Sequence, residues 1–261
     1  MRSVITVLAA AGVLGFGSQA LAQGAPHILQ TPAISKDLIA FGYAGDIWTV
    51  PRAGGRATRI TTGLGVESTP IFSPDGQTLA FTGEYDGNTD VFTVPAAGGV
   101  PQRVTYHPAA DAAVGWSADG RQVLFRSNRS AASRYTQIFA VSPKGGPATA
   151  LPLPMAYAGA MAPDGSRIAY NPMAPAFAFN FQTYVAWGNY RGGQASVIRI
   201  TTLPGLDSVE VPHEAAADNS STAIGRLAAK RTSITWRCLA ESFRDSRTSA
   251  GPVNGDDERV F

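Results

Sequence analysis

Short apolar or alternating runs in this chain are separated by tight clusters of Gly, Pro, Asp and Ser. Residues 66–110 show the pattern most plainly. Thr69-Pro70-Ile71-Phe72 is a short strand that stops at Ser73-Pro74-Asp75-Gly76, where Pro fixes φ and Gly accepts a positive φ, so a hairpin follows. Thr78 to Thr82 alternates polar and apolar residues and returns as a second strand. Asp86-Gly87-Asn88 is the next turn, Asp90 to Val94 a third strand, Ala97-Gly98-Gly99 a third turn and Gln102 to Thr105 a fourth strand. The unit is a four-stranded antiparallel meander.

That unit recurs. Ser73-Pro74-Asp75-Gly76, Ser117-Ala118-Asp119-Gly120 and Ala162-Pro163-Asp164-Gly165 place their aspartates 44 and then 45 residues apart. Asp46-Ile47-Trp48-Thr49-Val50, Asp90-Val91-Phe92-Thr93-Val94 and Gln137-Ile138-Phe139-Ala140-Val141 recur at spacings of 44 and 47. Gly54-Gly55, Gly98-Gly99 and Gly145-Gly146 move with them. A period of about 40–45 residues built from short strands is the signature of a β-propeller blade. The expected fold is therefore all-β, a β-propeller of four-stranded antiparallel blades, with blades at 27–65, 66–110, 111–155 and 156–213. The last is longer because Pro172 to Tyr184 interrupts it with Phe177, Phe179, Phe181 and Tyr184, read as packing aromatics. About four blades leave the ring incomplete, with open blade edges through which chains are expected to self-associate.

Beyond Pro212-His213 the pattern stops. Residues 214–261 carry scattered Arg and Ser, as in Arg237-Cys238-Leu239-Ala240-Glu241-Ser242-Phe243-Arg244, and are expected to be an irregular, poorly ordered tail. A fifth blade is due at this point, so a translated frameshift that truncates a longer protein is preferred to an ordinary flexible tail. At the other end, Arg2, the apolar run Val4 to Gly17 and the small-residue pattern Ala20-Leu21-Ala22 form a signal peptide over residues 1–22, cleaved after Ala22. The run is too short for a membrane anchor, which needs about 18–20 apolar residues. No Cys follows the cleavage point to carry a lipid. A periplasmic or secreted location is expected.

Composition narrows the class further. Of 261 residues only 15% are charged, against 44% hydrophobic, with 28 Gly and 18 Pro, which argues against a helical bundle, a coiled coil or a disordered polyelectrolyte. Twenty-one basic and 19 acidic residues give a net charge of +2, too little to attract nucleic acid or an anionic membrane. The single Cys238 forms no intramolecular disulfide and no Cys-based metal site.

A search for chemistry assigns no catalytic, cofactor-binding or metal-ligating residue. No Gly-x-Ser-x-Gly elbow is present. Ser117 sits in a repeated hairpin whose other copies carry Ser73 and Ala162, so it is structural. His27, His107 and His213 are isolated and lack metal-ligand spacing, and His107 before Pro108 reads as a capped loop position. Asp86-x-Asn88-x-Asp90 resembles the start of a calcium loop, but Val91 and Ala97 occupy the sixth and twelfth positions, where Gly and Glu are needed, so a hairpin is expected. Asn128-Arg129-Ser130 and Asn219-Ser220-Ser221 fit the glycosylation pattern, which means little if, as an exported chain with almost no Cys suggests, the source is bacterial. No cofactor is expected.

Several strings go beyond a generic blade. Gln102-Arg103-Val104-Thr105-Tyr106-His107-Pro108, Val114-Gly115-Trp116-Ser117-Ala118-Asp119-Gly120 and Val123-Leu124-Phe125-Arg126-Ser127-Asn128-Arg129 resemble the N-terminal propeller of Tricorn-type proteases, as do Gly83-Glu84-Tyr85-Asp86-Gly87-Asn88-Thr89-Asp90-Val91 and Asn189-Tyr190-Arg191-Gly192-Gly193. The resemblance covers residues 30–219 and ends at Asp218-Asn219-Ser220; the blade motifs themselves are shared with TolB and with WD-like and prolyl-oligopeptidase-type propellers. It implies a large serine endopeptidase whose propellers gate the access of peptides to distant catalytic regions, built with a PDZ-like module and α/β subdomains. None of those catalytic parts has a matching position here, so the chain is expected to be a substrate-access or scaffold portion with no enzymatic activity of its own. The alternative is a TolB-like periplasmic propeller that binds proteins. Either way the expected partners are peptides or proteins across the propeller face.

Overall fold

Sixteen short strands fold into four separate sheets in the computed structural model, which describes residues 29–130, 135–174, 197–205 and 207–211. The segments read as a signal peptide, aromatic insertion and irregular tail lie wholly or mainly outside the described residues. Blade 1 holds β1 (Gln30–Ile34), β2 (Leu38–Tyr43), β3 (Asp46–Pro51) and β4 (Thr58–Arg59). Blade 2 holds β5 (Val66–Phe72), β6 (Thr78–Tyr85), β7 (Asn88–Pro95) and β8 (Gln102–Arg103). Blade 3 holds β9 (Asp111–Trp116), β10 (Val123–Ser127), β11 (Gln137–Val141) and β12 (Thr149–Ala150). Blade 4 holds β13 (Ala158–Met161), β14 (Arg167–Asn171), β15 (Arg199–Thr202) and β16 (Ser208–Glu210). Every sheet is an antiparallel meander in chain order. No helix occurs among the described residues.

The blades stack face to face, and period-2 alternation gives each middle strand two cores. On β6, Leu79 and Phe81 point back at Ala40, Ile47 and Ile60 of blade 1, while Ala80 between them points forward. Ala80 and Val91 then receive Val123, Phe125, Phe139 and Val141 of blade 3. Leu124, Ile138 and Ala140 receive Ile168 and Tyr170 of blade 4 in the same way. Phe81 stacks on Phe92 and Phe125 on Phe139, both with ring centroids 5.6 Å apart. Trp116 ties two blades together by donating its indole N–H to the Ile71 carbonyl at 3.0 Å.

One end of each of blades 2–4 is closed by the repeated hairpin. Gly76, Gly120 and Gly165 have φ of 74°, 71° and 73°, a conformation that side chains with a Cβ rarely adopt. In blade 2 the Ser73 hydroxyl donates to Asp75 Oδ1 at 2.6 Å and accepts the Thr78 N–H at 3.0 Å, while Asp75 Oδ1 also accepts the Gln77 N–H. Blade 3 repeats this with Ser117, Asp119, Arg121 and Gln122. Blade 4 has Ala162 in the serine position, and Asp164 instead accepts from both the backbone and the hydroxyl of Ser166. These bonds stabilise the charged form, so all three carboxyls lie below the usual carboxylate range: the serine hydroxyl is the main cause at Asp75 and Asp119, the Ser166 N–H at Asp164.

Two outcomes are expected. Phe125→Ala opens a cavity between blades 2 and 3 and lowers stability by about 3–5 kcal/mol, measured by urea unfolding. A carboxyl whose folded pKa lies below its unfolded value stabilises the fold in full above the unfolded value and loses that contribution as pH falls through the folded value. Ser117→Ala therefore moves the Asp119 titration up toward the ordinary range and leaves Asp164, held by Ser166, where it is, as read from carboxyl carbon shifts across an acid titration.

Candidate functional site: the crossover end of the blades

Antiparallel topology sends the other features to the opposite end. Each first strand starts there, each second strand turns into the third there, and each fourth strand leaves from there for the next blade. The first strands β1, β5, β9 and β13 stand beside one another along the inner side of the arc, so residues at their starts rim its inner opening. In blades 1 and 2 the second hairpin is a two-residue turn with both φ positive, at Ala44-Gly45 and Asp86-Gly87.

At this end the third and fourth strands of blades 1 and 2 are clamped to each other by ion pairs. Asp46 meets Arg59 at 2.6 Å and Asp90 meets Arg103 at 2.5 Å. Two residues beyond each arginine a threonine hydroxyl accepts a backbone N–H from the third strand: Ile47 to Thr61 at 2.9 Å, Val91 to Thr105 at 3.0 Å. The string Arg-Ile-Thr at 59–61 and Arg-Val-Thr at 103–105 thus recurs at 44 residues, a further register that the turn and strand motifs had overshadowed. Gln137 replaces the aspartate in blade 3 and donates to the Leu153 carbonyl.

The starts of the first strands carry buried polar groups. Glu67 accepts from the Thr61 hydroxyl of blade 1 and the Tyr85 hydroxyl of its own blade. Burial, and then the Glu67 carboxylate, hold the Tyr85 phenol well above its ordinary value. Asp111 stands at the matching position of blade 3 and pairs with Arg129, whose guanidinium also lies over the Phe125 and Phe139 rings at 4.8 and 5.3 Å. At the start of β13 the ring of Tyr157 faces Arg126, with the guanidinium carbon 4.2 Å from the ring centroid. Leu64 and Tyr106, in the crossovers that leave blades 1 and 2, are exposed to solvent, as is Val66 at the start of β5.

Residues singled out by sequence fall as follows. Ser117 is locked in its hairpin. His107 accepts the Ala109 N–H through Nδ1 at 3.0 Å, a loop cap. The Asn88 amide donates to Asp90 Oδ2 and to the His107 carbonyl, and Asp90 is taken by Arg103 and Thr105, so these residues form a hairpin brace instead of a cation cradle. Among the described residues no group of three or more His, Cys, Asp or Glu could hold a metal ion, and no helix is long and apolar enough to cross a membrane. His27, His213 and Cys238 lie outside the described residues. Arg126 falls inside the Val123–Arg129 string without being singled out there, and Tyr157 falls in no motif.

A family model described as the Tricorn protease N-terminal beta propeller domain matches residues 26–228. The chain belongs to the Tricorn protease N-terminal beta propeller family. It is 38% identical over 63 residues to Tricorn protease homolog 1 of Streptomyces coelicolor, a match covering 24% of this chain and 6% of that protein. A crystal structure of the tricorn protease superposes with a TM-score of 0.62 at 24% identity, covering 76% of this chain and 19% of that one. TolB from Acinetobacter baumannii gives 0.55 at 19% identity, covering 74% and 45%. The two structural likenesses show the fold, and this chain spans well under two thirds of each relative.

Within the Tricorn-type propeller, successive junctions solve one problem unequally. Glu67 is long enough to reach Thr61. Asp111 is one methylene shorter, its Oδ1 is buried without a hydrogen-bond partner, and Thr105 donates instead to Asp90 at 3.1 Å. A buried acceptor left unmade costs about 1–3 kcal/mol. Asp111→Glu is expected to reach Thr105 as Glu67 reaches Thr61 and to raise stability by about 1 kcal/mol, measured as an upward shift in the thermal melt.

Proposed function

We propose that this chain is the substrate-access or scaffold propeller of an exported Tricorn-like serine peptidase, docking peptides or protein segments across the crossover end of its blades. The observation that carries the reading is the asymmetry of the two ends. The hairpin end repeats the same self-satisfied turn from blade to blade, whereas the crossover end differs from blade to blade and exposes Leu64 and Tyr106 on successive crossovers. Uniform turns are architecture; varied, exposed apolar groups beside charged ones are what a docking surface needs. Tyr106 has a rigid, amphipathic ring backed by Arg103, whose guanidinium carbon is 4.7 Å from the ring centroid.

In this reading peptide hydrolysis resides in parts of the relatives that this chain does not match, and the chain is inert alone. Export to the periplasm or medium rests on residues 1–22, with Gln23 as the first mature residue. The frameshift reading of residues 214–261 is supported by the loss of blade pattern after His213. A TolB-like binding role keeps the docking surface and drops the peptidase.

The docking surface is tested on the full chain with a library of fluorescein-labelled peptides and fluorescence anisotropy. Leu64→Ala with Tyr106→Ala should weaken binding by about tenfold or more without changing the thermal melt. Unchanged affinity in that double variant, or no binding by the wild-type chain, ends the proposal.

A further inference from the structure

Blade 1 has an apolar rear face that no other blade covers among the described residues. Ala40 and Ile47 face blade 2, so strand alternation turns Ile39, Phe41, Trp48 and Val50 the other way. They fall into two cross-strand rows. Ile34, Ile39 and Val50 pair across β1, β2 and β3 as an aliphatic row near the turn from β1 to β2, and Phe41 pairs with Trp48 as an aromatic row nearer the crossover end. None of these five residues joins a hydrophobic cluster among the described residues. Ile34 is 55% exposed, Ile39, Trp48 and Val50 are half-buried, and of the five only Phe41 is buried.

The repeat shows what such a face is built for. Blade 2 carries the same rows, Phe72, Leu79 and Val94 beside Phe81 and Phe92, all buried against the forward face of blade 1. Blade 3 repeats them with Val123 and Val141 beside Phe125 and Phe139, all buried against blade 2. Trp48 is prepared for the same burial. Its ring meets that of Tyr43 edge-on, with centroids 6.0 Å apart, and its indole N–H donates to the Tyr43 carbonyl at 3.1 Å. A Trp whose one donor is already satisfied can lose its water without leaving a polar group unmade. In a second copy no forward face is open to receive it: Ala169, Ile198 and Ile200, which hold that position in blade 4, are buried within their own chain.

We infer that the rear face of blade 1 is a self-association surface, joining two copies of this chain about a two-fold axis that runs between its two rows. Such an axis lays the aromatic row of each copy over the aliphatic row of the other, so Phe41 of one copy meets Ile39 of the other, and Trp48 meets Val50. Large residues then face smaller ones, as they do inside the chain where Phe81 packs on Ala40 and Phe125 on Ala80. The contact is isologous, so it closes at two copies, whereas a head-to-tail contact that did not close would go on adding chains. It joins sheet faces instead of the short outer strands and does not use the crossover end, so it stands independently of the docking reading. One blade face is small for a specific interface, and a dimer of micromolar affinity is expected.

The test is sedimentation velocity on the full chain from about 1 to 100 µM. The expected result is a monomer that gives way to a dimer, and to nothing larger, as concentration rises. Val50→Glu and Trp48→Arg each place a charge within the apolar rows and should weaken the dimer about tenfold or more, with the circular dichroism spectrum unchanged. An equimolar mixture of the two variants should recover a dimer. The two-fold sets position 50 of each copy against position 48 of the other, so the mixture brings carboxylate to guanidinium at one contact and keeps Trp48 on Val50 at the other. Should Trp48→Arg not fold, Val50→Glu and Ile34→Glu, the latter at the most exposed of the five positions, carry the test. A wild-type chain that stays monomeric over the whole range, one that grows beyond two copies, or a dimer that survives both Val50→Glu and Ile34→Glu overturns the proposal. Folded Val50→Glu and Trp48→Arg chains that fail to pair in the mixture refute the two-fold arrangement.

Discussion

Everything in this fold hangs on middle strands that serve two cores at once. Ala80 and Phe81 are adjacent in sequence and both fully buried, yet they lie in different hydrophobic clusters on opposite faces of one sheet. A one-residue slip of β6 would drive Phe81 into blade 3 and Ala80 into the space before blade 1, overfilling one junction and emptying the other. The junctions work because a large residue on one blade meets smaller ones on the blade before: Phe81 with Ala40, Phe125 with Ala80. This complementarity fixes register, and register in turn fixes which side chains reach the ends of the blades.

Because the same strand problem is solved four times, the repeat separates architecture from chemistry without reference to any other protein. The serine-aspartate-glycine hairpins answer to the turn alone; when Ala162 removes the serine, Ser166 takes over the aspartate and the turn is unchanged. The Asp-Arg-Thr clamp behaves likewise, satisfying a buried carboxylate and a backbone amide at once. Positions that change chemistry from blade to blade without a structural reason are different in kind. They concentrate at the crossover end, where Glu67 is the second residue of β5, Asp111 the first of β9, and Tyr157 directly precedes β13. A likeness in fold to TolB and to the tricorn protease accounts for the first kind of position; only the second kind can distinguish one propeller's task from another's.

How much of this could be read from the chain follows from the range of the forces involved. The turns were legible, because Gly76, Gly120 and Gly165 answer to backbone sterics within four residues. So were the strands, although β6 and β7 run on to Tyr85 and Asn88, past the alternation that suggested them, since a two-residue turn needs no polar spacer. The fourth strand proved shorter than its alternation implied, ending at Arg103, because Thr105 turns inward to Asp90. The site was not legible. Tyr157 and Arg126 are 31 residues apart, and only the stacking of blade 4 on blade 3 brings ring and guanidinium together. The Glu67 network likewise joins residues whose partnership depends on junction geometry.

Edges and faces divide the risk of unwanted association between them. The outermost strands β4, β8 and β12 are two residues each, and they follow Gly-Gly turns, with Pro101 and Pro147 before the last two. Such strands offer too few free backbone groups to template another chain, a common protection of sheet edges. Propagation in this fold therefore runs through faces, where the repeat already supplies a complement. Ala169, Ile198 and Ile200 give blade 4 the small-and-branched character that Ala40 and Ile47 give blade 1, so its forward face is of the type that elsewhere receives an aromatic from the next blade. Association between blades is thus governed by steric fit of apolar faces, which tolerates little error, instead of backbone pairing, which tolerates a great deal.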